Sequence, residues 1–148
     1  MIRLGISSCL LGNNVRYDGR HKRDDFIAGT LARYVEFVPV CPEVAIGMGV
    51  PRPPIQLVGD AAAPRARGVA DDSLDFTQAL SEYGLNMARE LDDISGYVFK
   101  NRSPSCGVDK VPLQGSAQRR GVRGIYAAHC PVPFTSAVPR SWTSLCSV

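Results

Sequence analysis

The chain contains no Cys-x-x-Cys pair, only two histidines and no acidic residue after Asp109. Structural zinc sites usually draw their ligands in close pairs, and that layout is missing. Gly47-Met48-Gly49 does not make a Gly-x-Gly-x-x-Gly strand-to-helix turn, and there is no P-loop. Dinucleotide and nucleoside-triphosphate chemistry therefore find no support. No apolar run approaches the roughly 20 residues that cross a bilayer. Met1-Ile2-Arg3-Leu4 has none of the marks of a secretory leader, so a cytoplasmic protein without membrane contact is expected. Positive charge is not concentrated either. The net charge is +3, and Arg20-His21-Lys22-Arg23 runs straight into Asp24-Asp25, so no nucleic-acid polymer is expected as a partner.

At 148 residues, 45% hydrophobic and 21% charged, the chain suits one globular domain, 1–148, with a core of its own. A monomer is expected. The cysteines number five, an odd count for a chain expected in a reducing compartment, so a disulfide framework is not expected.

Alternating strand and helix signals predict an α/β fold, a three-layer sandwich with a mostly parallel, Rossmann-like sheet. Residues 2–7 read as a short buried strand, and the polar stretch from Cys9 to Gly19 reads as a loop. Phe26, Ile27, Leu31 and Tyr34 recur at helical spacing and predict an amphipathic helix from Asp24 to Tyr34. Residues 35–40 read as a second strand and 55–58 as a third, at an edge. Residues 59–71 suggest a hairpin or irregular strand around Arg67-Gly68-Val69. A strong helix follows, capped by Asp71, Asp72 or Ser73, with Phe76, Ala79, Leu80, Tyr83, Met87 and Leu91 on one face. Residues 96–100 read as a further strand. Beyond Ala128 the periodicity fails, and residues 129–148, with Cys130 and Cys146, read as a divergent tail.

Three cysteines stand out against this plan. Cys9, Cys41 and Cys106 each follow an apolar strand, in loops rich in Gly, Pro and Ser. Ligands of α/β sheets collect beyond the carboxyl ends of the strands. Three thiols delivered to that edge suggest one site with three sulfur ligands, whereas a lone cysteine is more often a buried structural thiol. An iron–sulfur cluster and zinc both accept three thiolates with one position left open. Glu43, two residues past Cys41, would lie beside such a metal and could deprotonate a water. Its plainer reading is a first-turn acid favoured by the helix dipole. Tyr17-Asp18-Gly19 reads as a turn on the same rim, Arg52 as a substrate holder or a surface arginine, and Lys100-Asn101 as pocket lining. Neither His21 nor His129 adjoins the three loop cysteines.

Ser8-Cys9-Leu10-Leu11-Gly12, Val15-Arg16-Tyr17-Asp18-Gly19, Cys41-Pro42-Glu43, Pro51-Arg52-Pro53-Pro54 and Ser103-Pro104-Ser105-Cys106-Gly107 together resemble the thiouracil desulfidase family. The resemblance covers about residues 1–128 and rests on the whole set of motifs. It implies a small α/β enzyme binding a [4Fe-4S] cluster through Cys9, Cys41 and Cys106. Glu43 and Ser103 would be its catalytic polar groups. The implied reaction converts a thiolated uracil to uracil and hydrosulfide without net redox change, the open iron taking the substrate's sulfur. Glu43 would activate the water, and Ser103 would assist proton transfer or position the substrate. After Ala127 the chain departs from the family pattern, and nothing is carried over there. Two other readings use the same cysteines: a zinc-dependent hydrolase and a non-enzymatic carrier of sulfur or of a cluster.

Overall fold

The computed structural model describes residues 1–115 and 121–130. Its organising element is β1 (Ile2–Ser7), which pairs in parallel with β2 (Val35–Val40) on one side and β5 (Gly96–Val98) on the other. The register runs from Ile2 opposite Val35 to Ser7 opposite Val40, with Ile6 opposite Val98. All three strands therefore finish at the same edge. The α/β, Rossmann-like sheet expected from the sequence is present.

Helical structure covers both faces of this sheet. On one face Val40 and Tyr97 pack with Met87, Tyr126 and Ala127 from α2 (Thr77–Glu90) and α3 (Ile125–His129). On the other, Ile6 packs with Leu10 and Ile27, and Phe37 and Val98 close around them. The expected helix at 24–34 is much reduced. It is a π-helical turn, Phe26–Thr30, passing into a 3-10 turn, Leu31–Arg33. Only Ile27 is buried, while Phe26 and Tyr34 face outward. Gly29 and Thr30 are poor helix formers in the middle of the segment, and apolar spacing did not outweigh them.

Residues 55–68 add a second, smaller sheet. β3 (Ile55–Asp60) and β4 (Ala63–Gly68) form an antiparallel hairpin, and β6 (Leu113–Gln114) joins β3 in parallel. The third strand is thus the centre of its sheet rather than an edge. Leu57 and Ala66 from this hairpin are fully buried against Leu80 of α2.

α2 begins at Thr77, later than the Asp71–Ser73 cap expected from sequence. Asp71 instead accepts from Ser73 in a preceding turn, and Asp75 Oδ1 accepts from the Thr77 N–H at 2.9 Å. Asp75 Oδ2 also accepts from Arg65 Nε at 2.9 Å, tying the helix start to β4. The inward face of α2 is Leu80, Gly84 and Met87. Ala79 is exposed, and Gly84 replaces it because α3 crosses so closely that a Cβ there would touch the Tyr126 carbonyl and the His129 side chain. Among the described residues no helix is long and apolar enough to cross a membrane. Residues 131–148, including Cys146, lie outside the described residues.

A second close approach lies inside the sheet. Gly5 faces Tyr97 across the β1–β5 pair, and the space a Cβ would need is taken by the Tyr97 ring. That ring stacks on Phe99 at 4.1 Å and meets Tyr126 edge-on at 6.0 Å. Gly5→Ala should displace this aromatic cluster and destabilise the fold by about 1–3 kcal/mol, read as a lower urea midpoint. An unchanged midpoint would mean that Tyr97 has another place to go.

Asp75 gives the fold an acid-sensitive contact. Burial opposes its ionisation, but hydrogen bonds from Thr77 and Arg65 outweigh burial and hold the carboxyl down at about 2. A carboxylate depressed in the folded state stabilises above its unfolded value, near 3.9, and loses that contribution as pH falls through the folded one. Between about pH 5 and pH 2 the parent should lose about 1 kcal/mol more than Asp75→Asn, once solvent screening is allowed for. Parallel stability–pH curves for the two proteins would count against it.

Candidate active site

The common edge of β1, β2 and β5 opens into a cavity of about 430 Å³. Its walls include Cys9, Cys41, Cys106, Glu43 and Ser103, so every site residue expected from the sequence faces one space. A cavity of this size suits a small-molecule ligand.

Each thiol arrives by a different local device. Cys9 lies in the 3-10 turn Ser8–Leu11 that ends β1, and Gly12 closes the turn with φ of 95°. Cys41 is the N-cap of a one-turn helix, α1 (Pro42–Ala45), in which Pro42 supplies a pre-set φ at the first position. Cys106 is held by the Ser103–Gly107 turn. Ser103 Oγ accepts from the Cys106 N–H at 3.1 Å, and the Ser103 carbonyl accepts from the Gly107 N–H at 2.8 Å. The start of α3 clamps that turn from behind, with the Ile125 and Ala127 N–H groups donating to the Pro104 and Ser105 carbonyls at 3.0 Å each.

Burial pushes all three thiols above their ordinary value, Cys106 up to about 12. Neighbouring cations pull the other way: Lys100 and Arg16 at Cys9, Arg52 at Cys41. Burial also pulls the Lys100 ammonium down, and the charge of an ionised Cys9 opposes that shift. Arg16, Lys22, Lys100 and Arg102 all line the cavity, giving it a positive wall. Such a wall favours an anionic occupant and the thiolate forms that metal ligation requires.

Glu43 is nearly buried and fully engaged. Its Oε2 accepts from Arg52 Nε at 2.8 Å and its Oε1 from Ser105 Oγ at 2.9 Å. Arg52 is also buried and donates through Nη1 to the carbonyls of Val15 at 2.8 Å and Gly49 at 2.9 Å. It is therefore not a surface arginine, although it also lines the cavity. It straps the Cys9 loop, the Gly49 turn and the Glu43 carboxylate together. Nothing in the sequence marks Ser105 beyond its place in Ser-Pro-Ser-Cys. Its importance depends on meeting Glu43 across 62 positions of sequence.

Other expectations sort cleanly. Tyr17, Lys100 and Asn101 line the cavity. The Asp18 carboxylate accepts from the Arg20 N–H, as a turn residue does. His21 accepts from the Arg23 N–H, and His129 Nδ1 meets the Ile125 carbonyl; neither lines the cavity. Cys130 is buried in the aromatic core with Tyr126 and is not part of the wall. Among the described residues no three His, Cys, Asp or Glu side chains are grouped to hold a single metal ion.

Comparison with known proteins bears on this site. A family model for 2-thiouracil desulfurase matches residues 4–138. The uncharacterized protein YbbK of Bacillus subtilis (strain 168) is 33% identical over 109 residues, 69% of this chain and 71% of YbbK. A solved structure of the [4Fe-4S]-dependent thiouracil desulfidase TudS superposes with a TM-score of 0.66 at 28% identity. That match covers 86% of this chain and 83% of TudS. The matched segment runs from β1 past α3 and includes all three cavity cysteines, and the chain belongs to the 2-thiouracil desulfurase family.

Proposed function

We propose that this protein is an iron–sulfur desulfidase that hydrolyses the C=S bond of a thiolated pyrimidine such as thiouracil, giving the C=O base and hydrosulfide. The observation that carries the reading is the meeting of three thiols from three separate loops with one buried carboxylate in a single cavity. Cys9, Cys41 and Cys106 would hold a [4Fe-4S] cluster, and the donor set fits: three sulfurs and a positive wall suit an anionic thiolate-ligated cluster. A single zinc ion fits less well, because Zn–S bonds of about 2.3 Å would need the sulfurs to converge on one point. When bound, the cluster supplies a soft iron site that matches the substrate's soft sulfur better than an oxygen-ligated metal would.

The chain's own residues supply the rest. Glu43 is the base on which the proton released by water ends as the water oxygen adds to the thiocarbonyl carbon. Arg52 fixes the plane of that carboxylate from Oε2, so its orientation is set before substrate arrives. Ser103, at the cavity wall, positions water or substrate and braces the turn carrying Cys106. Lys100 and its neighbouring cations favour the negative charge that develops on the departing sulfur.

Anaerobically purified protein should contain iron and acid-labile sulfide and turn over free thiouracil. Zinc without sulfide would favour a hydrolase of another class, and a loaded but inactive protein would favour a carrier. Cys9→Ser, Cys41→Ser and Cys106→Ser should each lose the cluster's visible absorbance, while Cys130→Ser keeps it, because thiolate ligation supplies the binding energy. Full occupancy in Cys41→Ser would defeat the ligand assignment.

Glu43→Gln separates ligation from catalysis. It should retain the absorbance and lose about 10²–10⁴-fold in kcat, the usual contribution of a positioned acid–base group. Turnover at the parent rate would reduce Glu43 to the structural ion-pair partner of Arg52.

A further inference from the structure

Ser103 Oγ and Ser105 Oγ lie 3.1 Å apart, and Ser105 Oγ lies 2.9 Å from Glu43 Oε1. The direction of these bonds is set by their neighbours. Backbone N–H groups of Cys106, at 3.1 Å, and of Ser105, at 3.3 Å, point at Ser103 Oγ and can only donate. The Ser103 hydroxyl must therefore spend its own hydrogen elsewhere, and Ser105 Oγ is the acceptor beside it. Ser105 has one hydrogen and two acceptors in range, Glu43 Oε1 at 2.9 Å and Cys106 Sγ at 3.9 Å. The shorter, charge-assisted bond to Glu43 takes it.

The result is a hydroxyl chain, Ser103 to Ser105 to Glu43, with one end at the cavity and the other on a carboxylate held by Arg52. Its middle member is 2% exposed, and its hydroxyl hydrogen is committed to Glu43. Resting on the desulfidase reading, we propose that this chain is a proton relay and that Ser105 is its positioning residue. In the relay a cavity water gives a proton to Ser103 Oγ as its oxygen bonds to the thiocarbonyl carbon and the C=S π pair moves onto the sulfur. Ser103 passes its own proton to Ser105, and Ser105 passes its proton to Glu43 Oε1. Both serines end neutral, and Glu43 ends as the carboxylic acid. The longest contact at Ser103, the 3.3 Å bond from the Ser105 N–H, is the one that yields a lone pair to the water. The backbone donors steady the oxygen while its proton departs. As the C–S bond breaks, its electron pair leaves with the sulfur, which takes the proton from Glu43 to become hydrosulfide. The added hydroxyl releases its remaining proton to solvent as the C=O bond forms, and no redox partner is needed.

Two measurements on the cluster-loaded enzyme test this. The first is a proton inventory of kcat on thiouracil in mixed H₂O and D₂O. A curved plot, showing more than one proton in motion, is expected, and a straight line would overturn the relay. The second compares Ser105→Ala with Ser105→Thr. Ser105→Ala should keep the visible absorbance and KM while kcat falls about 10²-fold, and its inventory should become linear. Ser105→Thr retains a hydroxyl and should recover kcat together with the curvature. Parent-like kcat in Ser105→Ala, or loss that Ser105→Thr fails to recover, would overturn the proposal. If Ser105→Ala does not hold the cluster, the parent's inventory still decides. A parent enzyme that holds the cluster but does not turn over thiouracil would instead sink the desulfidase reading, and the relay with it.

Discussion

Everything at the site depends on β1 pairing in parallel with both β2 and β5. Parallel pairing sends all three chains off the same edge, and the register places Ser7 beside Val40 and Ile6 beside Val98. The first and second thiols then lie two residues and one residue past a strand end, without any long loop to aim them. Shifting one strand by a single residue would turn its side chains to the opposite face. Gly5 protects that register from within, because only a residue without Cβ leaves room for the Tyr97 ring.

The third thiol shows what happens when a strand alone does not suffice. β5 stops at Val98, eight positions before Cys106. The intervening chain is held by three separate supports: the Ser7 hydroxyl accepting from the Lys100 N–H at 2.9 Å, Ser103 inside the turn, and α3 behind it. α3 thereby links the site to the helical layer, and its close crossing at Gly84 seats it there. A loop fixed at both ends and in the middle holds its serine and cysteine to a defined geometry, which positioned chemistry requires.

The Glu43–Arg52 pair has a different physical character. Burying two opposite charges carries a desolvation cost that their attraction repays only with good geometry and further hydrogen bonds. Here Ser105 meets the second carboxylate oxygen, and the Val15 and Gly49 carbonyls meet the guanidinium. Removing either partner would leave an uncompensated buried charge, so the pair holds conformation more than it adds stability. Because Arg52 reaches the Cys9 loop and Ser105 adjoins Cys106, the carboxylate is the point where loops from β1, β2 and β5 are joined.

The alternation of strands and helices along the chain and the grouping of Cys9, Cys41 and Cys106 are legible in the sequence because both follow from local patterns, whereas the strand order β2-β1-β5 emerges only in the folded sheet. Short apolar runs end in loops of Gly, Pro and Ser, and parallel α/β topology carries such loops to one edge. Glu43 was legible because it stands two residues from a thiol. The segment 24–34 departs from its helical periodicity because that pattern counts apolar residues without weighing Gly29 and Thr30 between them. The start of α2 does not follow from the Asp71–Ser73 cap signal, because Asp71 spends its carboxylate on Ser73 while Asp75, just before the Phe76 N-cap, accepts from the Thr77 N–H and from Arg65 on β4. The roles of Arg52 and Ser105 were decided by tertiary structure alone. Each acts through Glu43, from nine and sixty-two positions away, and no spacing along the chain encodes a hydrogen bond that exists only after the sheet has brought its loops together.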